Sequence, residues 1–105
     1  MDEVTTYVLY DIPDDAARTK IAEVCKDYGL ERIQFSAFSG TLTRNMREEL
    51  FLRLQDTLGE RAGKILLQPV CEKDVRLGLR VENDDGGIEP EAFRADAAGE
   101  RPEAV

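Results

Sequence analysis

The chain has 105 residues, with 14 Lys+Arg against 22 Asp+Glu, two cysteines, no histidine and a formal net charge of -8. That length makes one domain with a modest core, small enough to gain from association. Without histidine there is no Ser-His-Asp or Cys-His nucleophile, no histidine base and no two-histidine zinc site, so chemistry rests on carboxylates, basic groups or tyrosine, and any metal is a hard cation held by oxygen.

Order begins near Val4. Val4 to Asp11 reads as a strand that is apolar on both faces, with Tyr7 and Leu9 pointing one way and Val8 and Tyr10 the other. This predicts a central strand covered on both sides. Asp11 falls where the strand gives out, because Pro13 lacks an amide hydrogen and steers Ile12 away from helical angles. A carboxylate there is carried on rigid backbone while its oxygens still face solvent, a metal or a substrate. The competing reading is a turn residue bonded to nearby amides.

Asp14 or Asp15 then caps a helix bearing Ala17, Ile21, Val24 and Tyr28 on one side, closed by Gly29. Arg18 and Lys20 sit in its first turns, where the helix dipole disfavours positive charge by roughly a few tenths of a kcal/mol. They fit an anionic ligand, or they pair with Asp14, Asp15 and Glu23. Cys25 lies in an apolar context, as does Cys71, and without C-x-x-C spacing both read as small core residues.

Glu31 to Leu42 is extended and long enough for two short strands, with a turn at Phe35-Ser36 or at Ser39-Gly40. A second helix follows from about Asn45, with Glu48 as a capping partner and Met46, Leu50, Leu54 and Leu58 on one face, and Gly59 closes it. Lys64 to Val70 reads as a buried strand whose ladder Pro69 limits. The order β-α-β-β-α-β is the split pattern of ferredoxin-like α+β folds, a four-stranded antiparallel sheet with two helices on one face. Apolar residues on the other face, Tyr10 or Val8 among them, would then pack two copies together through their sheets. After Cys71, a short helical turn leads into an extended Leu77 to Val81, which allows a fifth strand on a sheet edge of this subunit or its partner.

Composition changes at Glu82. Residues 1–80 hold 12 Lys+Arg and 14 Asp+Glu, a net -2, whereas residues 81–105 hold 2 and 8, a net -6. The ferredoxin-like domain is therefore assigned to residues 1–81 and an acidic tail, with Ile88 and Phe93 as anchors should it dock, to residues 82–105. Basic groups gathered on one face of the nearly neutral domain can still bind phosphate, which the tail would repel or mimic. No leader is recognised and no apolar run approaches the roughly 20 residues of a membrane span, so a soluble, cytoplasmic protein is expected.

Tyr10-Asp11-Ile12, Asp14-Asp15 with Arg18-x-Lys20, Tyr28-Gly29-Leu30 and above all Arg32-x-Gln34-x-Ser36-x-Phe38 resemble the CRISPR-associated Cas2 family, the minor subunit of the spacer-acquisition machinery. The run Ile65 to Val70 followed by Cys71-Glu72-Lys73 is also similar. The resemblance spans roughly residues 5–80, and it is the order and spacing of these pieces that make it specific. It implies a turn at Phe35-Ser36 and a ferredoxin-like homodimer with its sheets face to face, the C-terminal strand often crossing to the partner. It implies a nuclease acting on RNA or DNA with Mg2+ or Mn2+, for which the catalytic, metal-binding aspartate falls on Asp11. The supporting residues fall on Tyr10, Arg18, Lys20, Arg32 and Phe38, of which Arg18, Lys20 and Arg32 would bind nucleic acid. Lys20 stands where arginine is common, which weakens bidentate phosphate recognition there. The implied partners are the larger CRISPR integrase subunit and a short DNA duplex along which the dimer lies.

The chemistry also follows from the residue types. One carboxylate is too few for an all-protein metal cage, but magnesium keeps several waters and uses one or two carboxylates plus substrate phosphate. Two Asp11 side chains near a dimer axis would supply that pair. Phe38 would stack on a base or pack in the dimer. Three readings follow: a metal-dependent phosphodiesterase at Asp11, a non-catalytic DNA-spanning scaffold, and a regulatory ferredoxin-like dimer that binds a metabolite at its interface. Binding to nucleic acid that weakens steeply with salt separates the first two from the third.

Overall fold

The computed structural model describes residues 3–83. In chain order the elements are β1 (Val4–Asp11), α1 (Asp15–Asp27), β2 (Glu31–Gln34), β3 (Ala37–Leu42), α2 (Arg44–Leu58), β4 (Lys64–Val70) and α3 (Glu72–Arg76). The strands form one sheet in the order β2-β3-β1-β4, every pairing antiparallel. This is the expected α+β, ferredoxin-like arrangement. Most of the expected acidic tail, including Ile88 and Phe93, lies outside the described residues.

The alternation along β1 decides what each face does. Thr6, Val8 and Tyr10 are buried against α1 and α2, in a core completed by Ile21, Cys25, Phe38, Leu42, Leu50 and Leu54. Tyr7 and Leu9 point to the other face, which is open. The expectation of a strand covered on both sides is therefore corrected: Val8 and Tyr10 belong to the helix-covered face and not to the exposed one. Residues directly opposite in a ladder share a face, so Leu66, Gln68 and Lys64 of β4, opposite Leu9, Tyr7 and Asp11, join the open side. β4 is likewise only half-buried, because it is an edge strand that rests Ile65 and Leu67 on the core.

Local chemistry explains the boundaries. Asp14 caps α1, its carboxylate accepting the Ala17 amide at 2.8 Å. The cap of α2 is Thr43, whose hydroxyl accepts the Met46 amide at 3.2 Å. Glu48 does not cap; it pairs with Arg44 one turn back at 3.3 Å. The β2–β3 turn lies at Phe35-Ser36, and Gly40 stays within β3. A Cβ at Gly40 would stand 2.6 Å from Leu30 Cδ2, so this glycine makes room for a core leucine instead of turning the chain.

Two expectations are narrowed at the C-terminal side. Leu77 to Val81 forms no strand within this subunit, and Leu77, Leu79 and Val81 are 69%, 98% and 87% exposed. The reason is that α3 packs near the start of β1, lining a cavity with Val4, Thr5 and Thr41, and so carries the chain over the sheet and not along the free edge of β4. Cys25 is buried as expected, but Cys71 is exposed, because it stands at the N-terminus of α3 with its thiol 3.4 Å from the Asp74 carboxylate. No helix among the described residues is long and apolar enough to cross a membrane.

Candidate nucleic-acid and metal site at one end of the sheet

Asp11 is the last residue of β1, exposed on the open face and opposite Lys64 in the ladder. Together with Leu9, Tyr10, Ile65 and Leu66 these two line a shallow pocket of about 240 Å³. The loop behind it is tight. A Cβ at Gly63 would come within 2.8 Å of Ile12 Cγ1 and 3.4 Å of the Asp11 carbonyl oxygen, and φ there is +153°, so only glycine lets the chain pass so close to the end of β1.

The next residue back, Tyr10, faces the helices. Its ring stacks on Phe38 with centroids 6.4 Å apart and planes at 20°, and the Arg32 guanidinium lies 4.9 Å over the Phe38 ring. Burial raises the Tyr10 phenol above its ordinary range, while the nearby Arg32 charge opposes that rise. Arg18 reaches from the first turns of α1 to donate from Nη1 to the Ile12 carbonyl at 2.9 Å and the Pro13 carbonyl at 3.0 Å. Its Nη2 pairs with Asp15, and its guanidinium sits 5.6 Å from the Phe35 ring centroid. Tyr10, Asp15, Arg18, Thr19, Arg32 and Phe35 enclose a cavity of about 350 Å³.

The site residues expected from sequence thus gather at one end of the sheet but divide between its faces. Asp11 stands on the open face; Tyr10, Arg18, Arg32 and Phe38 stand on the helix-covered one. Lys20 is exposed on α1 and lines neither pocket. Phe38 is 0% exposed, which corrects its reading as a base-stacking or dimer-packing ring: it is the floor on which Arg32 and Tyr10 rest. Sequence reasoning missed Phe35, Thr19 and Lys64. The available signal for Phe35 was a large apolar residue at a turn, where small and polar residues dominate.

Among the described residues no three carboxylates or thiols are grouped to hold a metal ion. Asp11 has no ion-pair partner among them, so its oxygens are open to a hard cation. The donor set fits magnesium or manganese only as a shared site, completed by a second carboxylate, water or phosphate oxygens.

Fold and site define a small ferredoxin-like protein that presents an open carboxylate and a cation-lined cavity at one end of its sheet. The family model described as CRISPR associated protein Cas2 matches residues 4–76, and the chain belongs to that family. It is 49% identical over 90 residues to the CRISPR-associated endoribonuclease Cas2 of Desulforudis audaxviator (strain MP104C), covering 86% of this chain and 85% of that one. It is 34% identical over 74 residues to a CRISPR-associated endonuclease Cas1/endonuclease Cas2 fusion of Thermoproteus tenax, covering 70% of this chain and 28% of the fusion. The crystal structure of Streptococcus pyogenes Cas2 at pH 6.5 shares the fold, with a TM-score of 0.64 at 22% identity over 74% of this chain and 99% of that one.

Proposed function

We propose that this chain is a nucleic-acid-binding subunit of CRISPR spacer acquisition that works as a homodimer and hydrolyses phosphodiester bonds at Asp11 with a divalent cation. The observation that carries this reading is the exposure of Asp11, without an ion-pair partner among the described residues, at the same end of the sheet as a cavity on the other face that holds Arg18 and Arg32. Asp11 of two subunits, or Asp11 and substrate phosphate, would hold the cation, which would supply Lewis acidity toward the scissile phosphoryl group. Arg32 neutralises the adjacent phosphate. Leu9 and Leu66, 42% and 54% exposed and opposite each other on the open face, are the apolar surface on which the second subunit packs, bringing the two Asp11 residues toward a common axis. Leu79 and Val81 then have a place on the free edge of the partner's sheet. The fused relative supports the larger integrase subunit as a partner.

Labelled single-stranded RNA and duplex DNA, incubated with wild type and Asp11→Asn in magnesium or in chelator, test this directly, with the dimer mass measured for both. The expected result is metal-dependent cutting that the substitution abolishes. Undiminished cutting by Asp11→Asn removes the site. The solitary carboxylate favours one second reading, a scaffold that spans DNA without cutting it; a well-folded dimer that binds but cuts nothing across metals and pH establishes that reading instead.

A further inference from the structure

Resting on the nucleic-acid-binding reading, we propose that the cavity beside the β2–β3 turn is a subsite for one unpaired nucleotide, with the Phe35 ring as the platform for its base and Arg32 as the ligand for its phosphate. Phe35 is 73% exposed, the most exposed aromatic ring among the described residues. A ring held out in water at a turn forgoes burial unless something covers it. It is also held in place. The Phe35 carbonyl accepts a hydrogen bond from Arg32. The Arg18 guanidinium lies 5.6 Å from the ring centroid, and Arg18 is itself fixed by the Ile12 and Pro13 carbonyls and by Asp15. The platform is therefore preorganised, which lowers the ordering penalty of binding.

The two arginines have different work. Arg18 is neutralised by Asp15 and bonded to the backbone, so it braces the site. Arg32 has no ion-pair partner among the described residues, and it stands on the Phe38 ring with its charge at the cavity wall. Thr19 and Tyr10 add hydroxyls to the lining. A cavity of about 350 Å³ admits one nucleotide and not a duplex. Bases inside a duplex have their faces covered, so the ligand class is single-stranded nucleic acid, whose bases stack on aromatic rings irrespective of sequence.

The chain contains no tryptophan, so Phe35→Trp in the full-length protein places a single reporter at the platform. The titration is done in chelator, where no cutting occurs. A single-stranded oligonucleotide is expected to quench the emission, whereas an abasic oligonucleotide of the same length binds without quenching and a blunt duplex leaves the emission nearly unchanged. Phe35→Ala should weaken single-strand binding about tenfold with the salt slope intact. Arg32→Gln should lower that slope by about 0.7. Equal quenching by the abasic strand, or unquenched emission in the oligonucleotide-bound protein, overturns the subsite. So does emission that changes with protein concentration alone, since the ring would then be covered by a second copy. Quenching without any metal-dependent cutting sinks the nuclease and leaves the subsite standing; cutting without quenching does the reverse; no binding to any nucleic acid sinks both.

Discussion

Tyr10 and Asp11 are neighbours on one strand, yet they belong to two regions of opposite character. On the helix-covered face the side chains answer one another within the chain: Tyr10 stacks on Phe38, Arg32 rests on Phe38, and Arg18 ties the turn after β1 to α1. On the open face Asp11, Leu9 and Leu66 are exposed, and nothing among the described residues covers them. A single β-strand can thus carry a finished half and an unfinished half of one site, because its side chains alternate. The finished half supplies fixed positions. The unfinished half is the one that the proposed reading completes with a metal, a substrate and a second subunit.

The helix-covered half depends most heavily on Phe38. Phe38→Ala removes a fully buried ring from beneath both Tyr10 and Arg32 and is expected to destabilise the chain by about 3–5 kcal/mol, read as a fall in the denaturant midpoint. A loss under about 1 kcal/mol would mean that the helix-covered network does not rest on this ring. Leu66→Asp acts on the other half. Its side chain is already 54% exposed, so the subunit should keep its fold while an unpaired charge buried between sheets weakens dimerisation by about 2–3 kcal/mol, roughly a hundredfold, in sedimentation equilibrium. An unchanged dimer would move the interface off this face.

These two halves were not equally legible in the sequence. The strand and helix boundaries could be read because Pro13, Gly29, Gly59 and the four-residue leucine spacing act locally. Which face of β1 the helices cover could not, since Tyr7, Val8, Leu9 and Tyr10 are all apolar or amphipathic, and alternation carries no signal when both sets are large. Gly40 stood as one of two candidate turn positions because its reason for being glycine, Leu30, is brought to it only by the fold. Asp11 was legible as an open carboxylate at a strand end, and Arg32 and Phe38 only through the family resemblance. That Phe38 lies beneath Arg32 depends on the ladder register that sets those two opposite each other. The exposure of Cys71 follows from its place ahead of α3, a helix too short for periodicity to announce.

The smallest expected effect separates the halves by pH. Cys25 is 0% exposed on the buried side of α1, and burial pushes its thiol up to about 12, partly opposed by the Arg32 charge. In the unfolded chain the same thiol ionises near about 8.5. Between those values the unfolded state has released a proton that the folded state still holds, so stability is fully present below about pH 8.5 and declines by at most about 1.4 kcal/mol per pH unit as pH rises toward the folded value. The raised Tyr10 phenol works in the same direction at higher pH. Denaturation midpoints measured from pH 8 to about 10.5 should therefore fall more gently in Cys25→Ala than in wild type, whatever the difference in their stability at neutral pH. A thiol reagent at pH 8 should modify Cys71 in the folded protein and spare Cys25. Parallel alkaline declines in the two proteins, or labelling of both thiols at one rate, would show that the helix-covered half opens to solvent as readily as the exposed face.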